Sequence, residues 1–184
     1  MPRMADLADS DEALMKRYAQ GDVRAFDLLY RRHEMRLWRY LERHTGNRAT
    51  ADELMQEVWF AVARDAVRYV PSARFTTWLF TIAHHRMIDS VRARRQESSL
   101  DPEALLADPR AGPLAAAIST DQGKALLRAV SQLPEEQRDA FLLQMEGDLG
   151  VEEIAAITAS SFETTKSRLR YARTKLRELL KEHE

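Results

Sequence analysis

Along the first ninety-six residues apolar positions recur at three- and four-residue steps, the period of helices with one buried face. Four helices are expected. Ser10 can cap a short one that runs to about Gln20. Gly21-Asp22 then resets the chain, and Asp22 can cap a long helix with the stripe Phe26, Leu29, Tyr30, His33, Leu37, Tyr40 and Leu41. Thr45-Gly46-Asn47 ends it, with Gly46 available for a left-handed terminus. A third helix is expected from Thr50, where Thr50-Ala51-Asp52-Glu53 has capping-box spacing. Leu54, Val58, Ala61 and Val62 form its apolar face, and Tyr69-Val70-Pro71 closes it. A fourth spans about Arg74 to Arg95, with Trp78, Leu79, Ile82, Ala83 and Met87 inward.

The period fails over residues 97–121, which hold three of the six prolines and read as a linker. It restarts with Ala125, Leu126, Val130 and Leu133; Pro134 stands at a first-turn position, and Ala140, Phe141 and Leu143 continue the core. Gly147 and Gly150 break the chain. A short helix over 151–157, a polar turn over 158–161 and a long final helix follow, the spacing of a helix-turn-helix. The fold class is therefore all-α: two small helical domains, 1–96 and 122–184, joined by the flexible acidic linker 97–121.

The 184 residues are 45% hydrophobic and 31% charged, a soluble globular composition. No apolar run is long enough to cross a membrane, and the N-terminus has no apolar signal core, so no membrane insertion and a cytoplasmic location are expected. The absence of cysteine excludes disulfides, thiolate metal sites and thiol redox chemistry in this chain. A formal charge of −1 hides a strong segregation. Residues 64–96 carry seven Arg against two Asp, residues 97–121 carry five acidic residues against one Arg, and residues 162–177 carry six basic residues against Glu163. Two basic segments around an acidic one suit two contacts with a polyanion, one from each domain; two solvated helix faces would look the same by charge alone.

The final helix divides into two faces. Leu169, Ala172, Leu176 and Leu179 form an apolar seam, and Lys166, Arg170, Arg173 and Arg177 form a basic stripe. A helix fits the major groove, with its N-terminal residues at base edges and flanking cations at phosphates. Lys166, Ser167 and Arg170, with Thr164 beside them, are expected near bases or adjacent phosphates. Tyr171 is expected against sugar or a thymine methyl, and Arg173 and Arg177 on phosphate.

Four stretches in order, GNRATADELMQEVW, FTTWLFTIAHHRMIDSVRARR, LPEEQRDAF and EEIAAIT with ETTKSRLRYAR, resemble a bacterial extracytoplasmic-function (ECF) sigma factor over nearly the whole chain. The resemblance implies a non-enzymatic promoter-specificity subunit of RNA polymerase. Its first domain would bind core polymerase and melt the minus-ten element, and its second would read the minus-thirty-five element. It further implies that Asp52, Glu53, Gln56, Glu57 and Trp59 grip the β′ clamp helices, although an acidic helix N-terminus is also favoured by the helix dipole alone. Arg68, Arg74 and Phe75 match the base-capture loop, and Thr76, Thr77, Trp78, His85, Asp89 and Arg92 match the melting helix; single-strand capture needs a base pocket and backbone cations. Trp78 lies on the apolar side of its helix, which favours core packing over base stacking. The acidic linker would occupy the polymerase RNA-exit path.

Three departures from the family pattern stand out. His85 replaces a common Asn. Ala159 and Ser160 replace the usual Gly and apolar residue of the C-terminal turn, which is expected to loosen it. Thr50 replaces an acidic residue that begins an acidic cluster on the polymerase-facing helix. Two readings of Thr50 stand side by side: a helix cap worth about 1 kcal/mol, or a target for a Ser/Thr kinase whose phosphate adds about −1.5 to −2 charges and completes the anionic surface. An anti-sigma partner is the other control that the resemblance implies. An autonomous helix-turn-helix regulator would explain the final helix but leave residues 52–57 and 64–95 without a purpose. A metal-dependent hydrolase on His84, His85 and Asp89 fails because adjacent helical histidines point about 100° apart. No cofactor and no metal are expected.

Overall fold

A computed structural model describes residues 9–98 and 121–181 of the chain. Its elements are α1 (Asp11–Ala19), α2 (Val23–Thr45), α3 (Arg48–Asp65), a 3-10 turn (Ala66–Arg68), α4 (Phe75–Ser98), α5 (Asp121–Ser131), α6 (Glu135–Gly147), α7 (Val151–Ile157) and α8 (Phe162–Lys181). The described residues contain no strand, as the all-α expectation requires. Residues 97 and 98 complete α4, so most of the expected linker, 99–120, lies outside the described residues.

Several caps follow the local chemistry. The Ser10 hydroxyl accepts from the Ala13 amide at 3.2 Å and Asp22 from the Arg24 amide at 3.1 Å, which satisfies donors the helix start leaves open. Gly46 closes α2 in the left-handed region, at φ 62°, where glycine has no Cβ penalty. Two expectations need correction. The helix expected from Thr50 begins at Arg48 with Asn47 as its cap, because the Asn47 side chain accepts from the Thr50 amide at 3.1 Å; Thr50 is inside the first turn and no capping box forms there. Pro134 is the cap residue of α6 rather than its first-turn residue.

In the first domain α2 packs on α1, α3 and α4, and Leu14, Leu29, Leu37, Val58, Phe75 and Leu79 are fully buried among them. Burying such side chains contributes about 1.5–3 kcal/mol each before entropy is set against it. In the second, α8 packs across α5, α6 and α7, with Leu142, Leu143, Ile154 and Leu169 inward. The two domains dock on each other. Helix α2 meets α5 and α6, and α4 meets α6 and α7. The approach is close: a Cβ on Gly147 would stand 2.8 Å from Leu149 Cγ and 3.4 Å from Phe80 Cγ.

Candidate nucleic-acid interface

The helix-turn-helix is built as its sequence pattern predicts. Glu153 folds back to accept from the Gly150 amide at 2.8 Å, which starts α7. The turn places Ala159 at φ 49°, a conformation L-residues rarely adopt. A chain of hydroxyls compensates for that strain. Ser160 Oγ is 2.9 Å from Thr158 Oγ1 and 2.7 Å from Thr165 Oγ1, and Thr165 is fully buried. The two departures are thus coupled: alanine strains the turn and serine fastens it. Ser161 then accepts from the Thr164 amide at 3.1 Å to start α8.

Leu169, Ala172, Leu176 and Leu179 seal α8 onto the domain. Thr164, Lys166, Arg170, Tyr171, Arg173 and Arg177 are exposed, and Ser167 is half-buried. The Lys166 ammonium lies 5.9 Å from the centre of the exposed Phe162 ring, and the Arg170 guanidinium lies 4.9 Å from that of Tyr171. Arg173 donates to Gln144 at 2.5 Å, so part of its capacity is directed back to α6. Arg168 faces another way, donating to Glu136 at 2.6 Å as a tie between helices.

The basic segment of the first domain divides between core and surface. Phe75 is fully buried, its ring 5.4 Å from His33, so it supports the loop from beneath and cannot itself meet a base. Trp78 packs 4.9 Å from Tyr69 and 5.9 Å from Phe75, in keeping with core packing. Tyr69 is pushed up to about 12 by burial and by the nearby Glu12 and Asp11 carboxylates. Arg68, Arg74, His85, Asp89 and Arg92 are exposed, Thr76 is half-buried and Thr77 is buried.

Thr77 and Arg74 are both engaged by the second domain. Glu153 of α7 takes Arg74 in a two-pronged contact, Nε–Oε1 3.3 Å and Nη2–Oε2 3.0 Å, and also accepts from the Thr77 hydroxyl. Arg74 Nη2 donates to the Asp148 carbonyl at 2.6 Å as well. Burial pushes the Glu153 carboxyl up, but Thr77, the Gly150 amide and Arg74 outweigh it and hold it below the usual range. Two further groups fasten the docked pair. Glu146 accepts from Arg39 at 3.0 Å and from Arg43. Asp139 accepts from the Tyr40 hydroxyl at 3.0 Å and stands 3.2 Å from both His44 Nε2 and His84 Nδ1. Burial pushes Asp139 up, yet the two imidazoles prevail and its carboxyl titrates well below the ordinary carboxylate range. Tyr40 is pushed well above its ordinary value by the same burial and by Asp139.

Asp52, Glu53, Gln56 and Glu57 are exposed along α3. Asp52 accepts from the Trp38 indole at 2.7 Å and sits 3.7 Å from Arg48. A groove of about 620 Å³ runs beside them between α2 and α3, and Tyr30, Met55 and Gln56 are among its walls. Trp59 backs this groove at 5% exposure, stacked edge-on against Phe26 at 5.6 Å, instead of projecting to a partner. The aromatic that does project is its neighbour Phe60, 71% exposed, which the sequence pattern left unused. Among the described residues no group of three or more His, Asp or Glu could hold a metal ion, and no helix is long and apolar enough to cross a membrane.

A helix-turn-helix with a cationic outer face, docked on a four-helix module that has its own exposed arginines, defines a two-module DNA-binding protein. Residues 29–97 match the Sigma-70 region 2 family and residues 123–176 match Sigma-70, region 4. The chain is 34% identical over 172 residues to the RNA polymerase sigma factor CarQ of Myxococcus xanthus, covering 92% of this chain and 97% of that protein. It is 34% identical over 181 residues to the ECF RNA polymerase sigma factor RpoE of Cereibacter sphaeroides, covering 95% and 98%. The chain belongs to the ECF family of RNA polymerase sigma factors. The same fold occurs in CnrH, solved in complex with the cytosolic domain of CnrY, with TM-score 0.70, 24% identity, and coverage of 96% of this chain and 100% of that one. It occurs again in the sigma factor RpoE of Bartonella quintana, solved with the anti-sigma factor NepR, with TM-score 0.70, 24% identity, and coverage of 79% and 89%.

Proposed function

We propose that this sigma factor binds the β′ clamp helices of core RNA polymerase through Asp52, Glu53, Gln56 and Glu57, with Trp59 as the rigid backing of that surface. Its second domain reads the minus-thirty-five element through α8, with Thr164, Lys166, Ser167, Arg170 and Tyr171 near bases and Arg173 and Arg177 on phosphate. Its first domain opens the minus-ten element with Arg68, Arg74, Thr76, Thr77, His85, Asp89 and Arg92, over a floor made by Phe75 and Trp78. The observation that carries the reading is the cationic outer face of α8 on an intact helix-turn-helix, in a chain of this family.

The docked arrangement is the resting form. Elements about 25 base pairs apart are separated by about 85 Å along B-DNA, at 3.4 Å per step. Two domains in contact cannot reach both, and Glu153 holds two of the minus-ten residues. Polymerase and promoter therefore act on the separated form.

Thr50 is the proposed control point. Asn47 already caps α3, so the hydroxyl is not needed there; it is half-buried and makes no hydrogen bond among the described residues. A phosphate would sit in the first turn, where the helix dipole favours an anion, one turn before Glu53 and two before Glu57. A Ser/Thr kinase is the partner this implies, and an anti-sigma protein of the kind bound by the Bartonella relative is the alternative controller. In vitro transcription with core polymerase tests the scheme, comparing unphosphorylated, kinase-treated, Thr50→Glu and Thr50→Ala protein. Activity is expected in the kinase-treated and Glu forms. Equal activity of all four would end the phosphorylation proposal, and no promoter-directed transcript from any would end the wider reading.

A further inference from the structure

Helix α1 lies before the residues matched to region 2, and the promoter-reading scheme gives it no task. It nevertheless carries two consecutive carboxylates that reach in different directions. Asp11 is bound to α2: its Oδ2 is 2.7 Å from His33 Nε2, and its Oδ1 accepts from Arg32 at 2.9 Å. Glu12 crosses instead to the start of α4, where its Oε1 accepts from the Phe75 amide at 2.8 Å. That amide is one of the donors a helix start leaves without an intrahelical partner, and the contact places a negative charge at the positive end of the helix dipole.

The surroundings make this contact a strut. Phe75 is fully buried and rests on His33, the residue that Asp11 holds. Tyr69, at the far side of the loop, packs against Phe75 and Trp78, and its buried hydroxyl lacks a hydrogen-bond partner among the described residues. The Phe75 amide holds the Glu12 carboxyl below its usual range more strongly than burial raises it. Arg74 immediately precedes the fastened amide, and Thr76 and Thr77 follow it.

We propose that Glu12 is a positioning residue for promoter melting, whose carboxylate fixes the first turn of α4 and so aims Arg74, Thr76 and Thr77 at the minus-ten strand. This rests on the minus-ten reading given above. The strut should matter most once the domains separate, because Glu153 then no longer holds Arg74 and Thr77, and Glu12 remains to order their backbone.

The test uses full-length protein in holoenzyme, with promoter DNA carrying 2-aminopurine in the minus-ten element to report unstacking. Glu12→Ala is expected to slow the fluorescence rise about tenfold, the size expected for one charge-assisted hydrogen bond. Its affinity for core polymerase, followed by anisotropy of labelled protein, should be unchanged. Glu12→Gln keeps an acceptor oxygen in place and should recover to within about threefold of the parent. If Ala and Gln variants are equally slow, or if core affinity falls in step with melting, Glu12 is only structural and the inference is overturned. If Glu12→Ala melts at the parental rate while Arg74→Ala does not, the inference fails and the minus-ten reading stands. If Arg74→Ala and Arg92→Ala also melt normally, the minus-ten reading itself fails, and this inference with it.

Discussion

Glu146→Ala should loosen the docked domains without harming either one. Both partners of Glu146 among the described residues, Arg39 and Arg43, lie on α2 while Glu146 lies on α6, so these contacts of its carboxylate cross the interface. Removing one partner of a buried pair costs about 3–5 kcal/mol, because the other charge stays behind in low dielectric. Here the glutamate side chain is 6% exposed, but Arg39 is 33% and Arg43 is 19% exposed, so water recovers part of the loss. About 2 kcal/mol remains, or roughly a thirtyfold shift toward the open form. The cysteine-free chain suits a two-dye measurement: Val23→Cys, 72% exposed, and the exposed Gln132→Cys would place one dye on each domain. Energy transfer should fall in the Glu146→Ala background while helix content and the melting of each domain stay the same. Unchanged transfer would refute the claim that this pair holds the interface, and lost helix content would refute the claim that it acts only between domains.

Other consequences can be measured singly. Asn47→Ala should destabilise the first domain by about 1 kcal/mol while Thr50→Ala costs much less, since only Asn47 caps α3; chemical denaturation compares them. Ala159→Gly should relieve the left-handed strain and raise the melting temperature, by about 1 kcal/mol in stability. Asp139 has a lowered carboxyl pKa in the docked state, so its contribution is complete at neutral pH and is lost as pH falls below about 4. Dye separation should therefore rise on acidification, and Asp139→Asn should blunt that step while opening the protein at pH 7. Arg170→Ala and Arg177→Ala in holoenzyme should each weaken promoter binding. If either residue meets a phosphate, the salt dependence of binding flattens by about one unit of slope.

The helices were legible because each buries one face and so repeats apolar residues near 3.6 positions. Caps that depend only on neighbours, Ser10, Asp22 and Gly46, were legible for the same local reason. The Thr50 start misled because its capping-box pattern is real, but Asn47 captures the Thr50 amide one turn earlier. Charge was a poorer guide. Arg168 belongs to the basic segment by composition yet is turned onto Glu136, and Arg74 is turned onto Glu153. Those pairings join residues 32 and 79 positions apart, and nothing local announces them. Phe75 and Trp59 show the same limit from the other side: aromatics that the resemblance assigns to contacts are buried in the first domain. Domain docking was least legible, because Tyr40, His44, His84 and Asp139 each look like ordinary polar residues of separate helices.

In the proposed scheme two modules, docked at rest, part so that each reads its own promoter element from the polymerase. Hydroxyl-radical and permanganate footprinting of the holoenzyme on one promoter tests it directly. Two protected patches about 25 base pairs apart are expected, with reactive unpaired thymines confined to the downstream one, and no footprint from the sigma factor alone. A single patch, or equal protection of duplex promoter without polymerase, would contradict it.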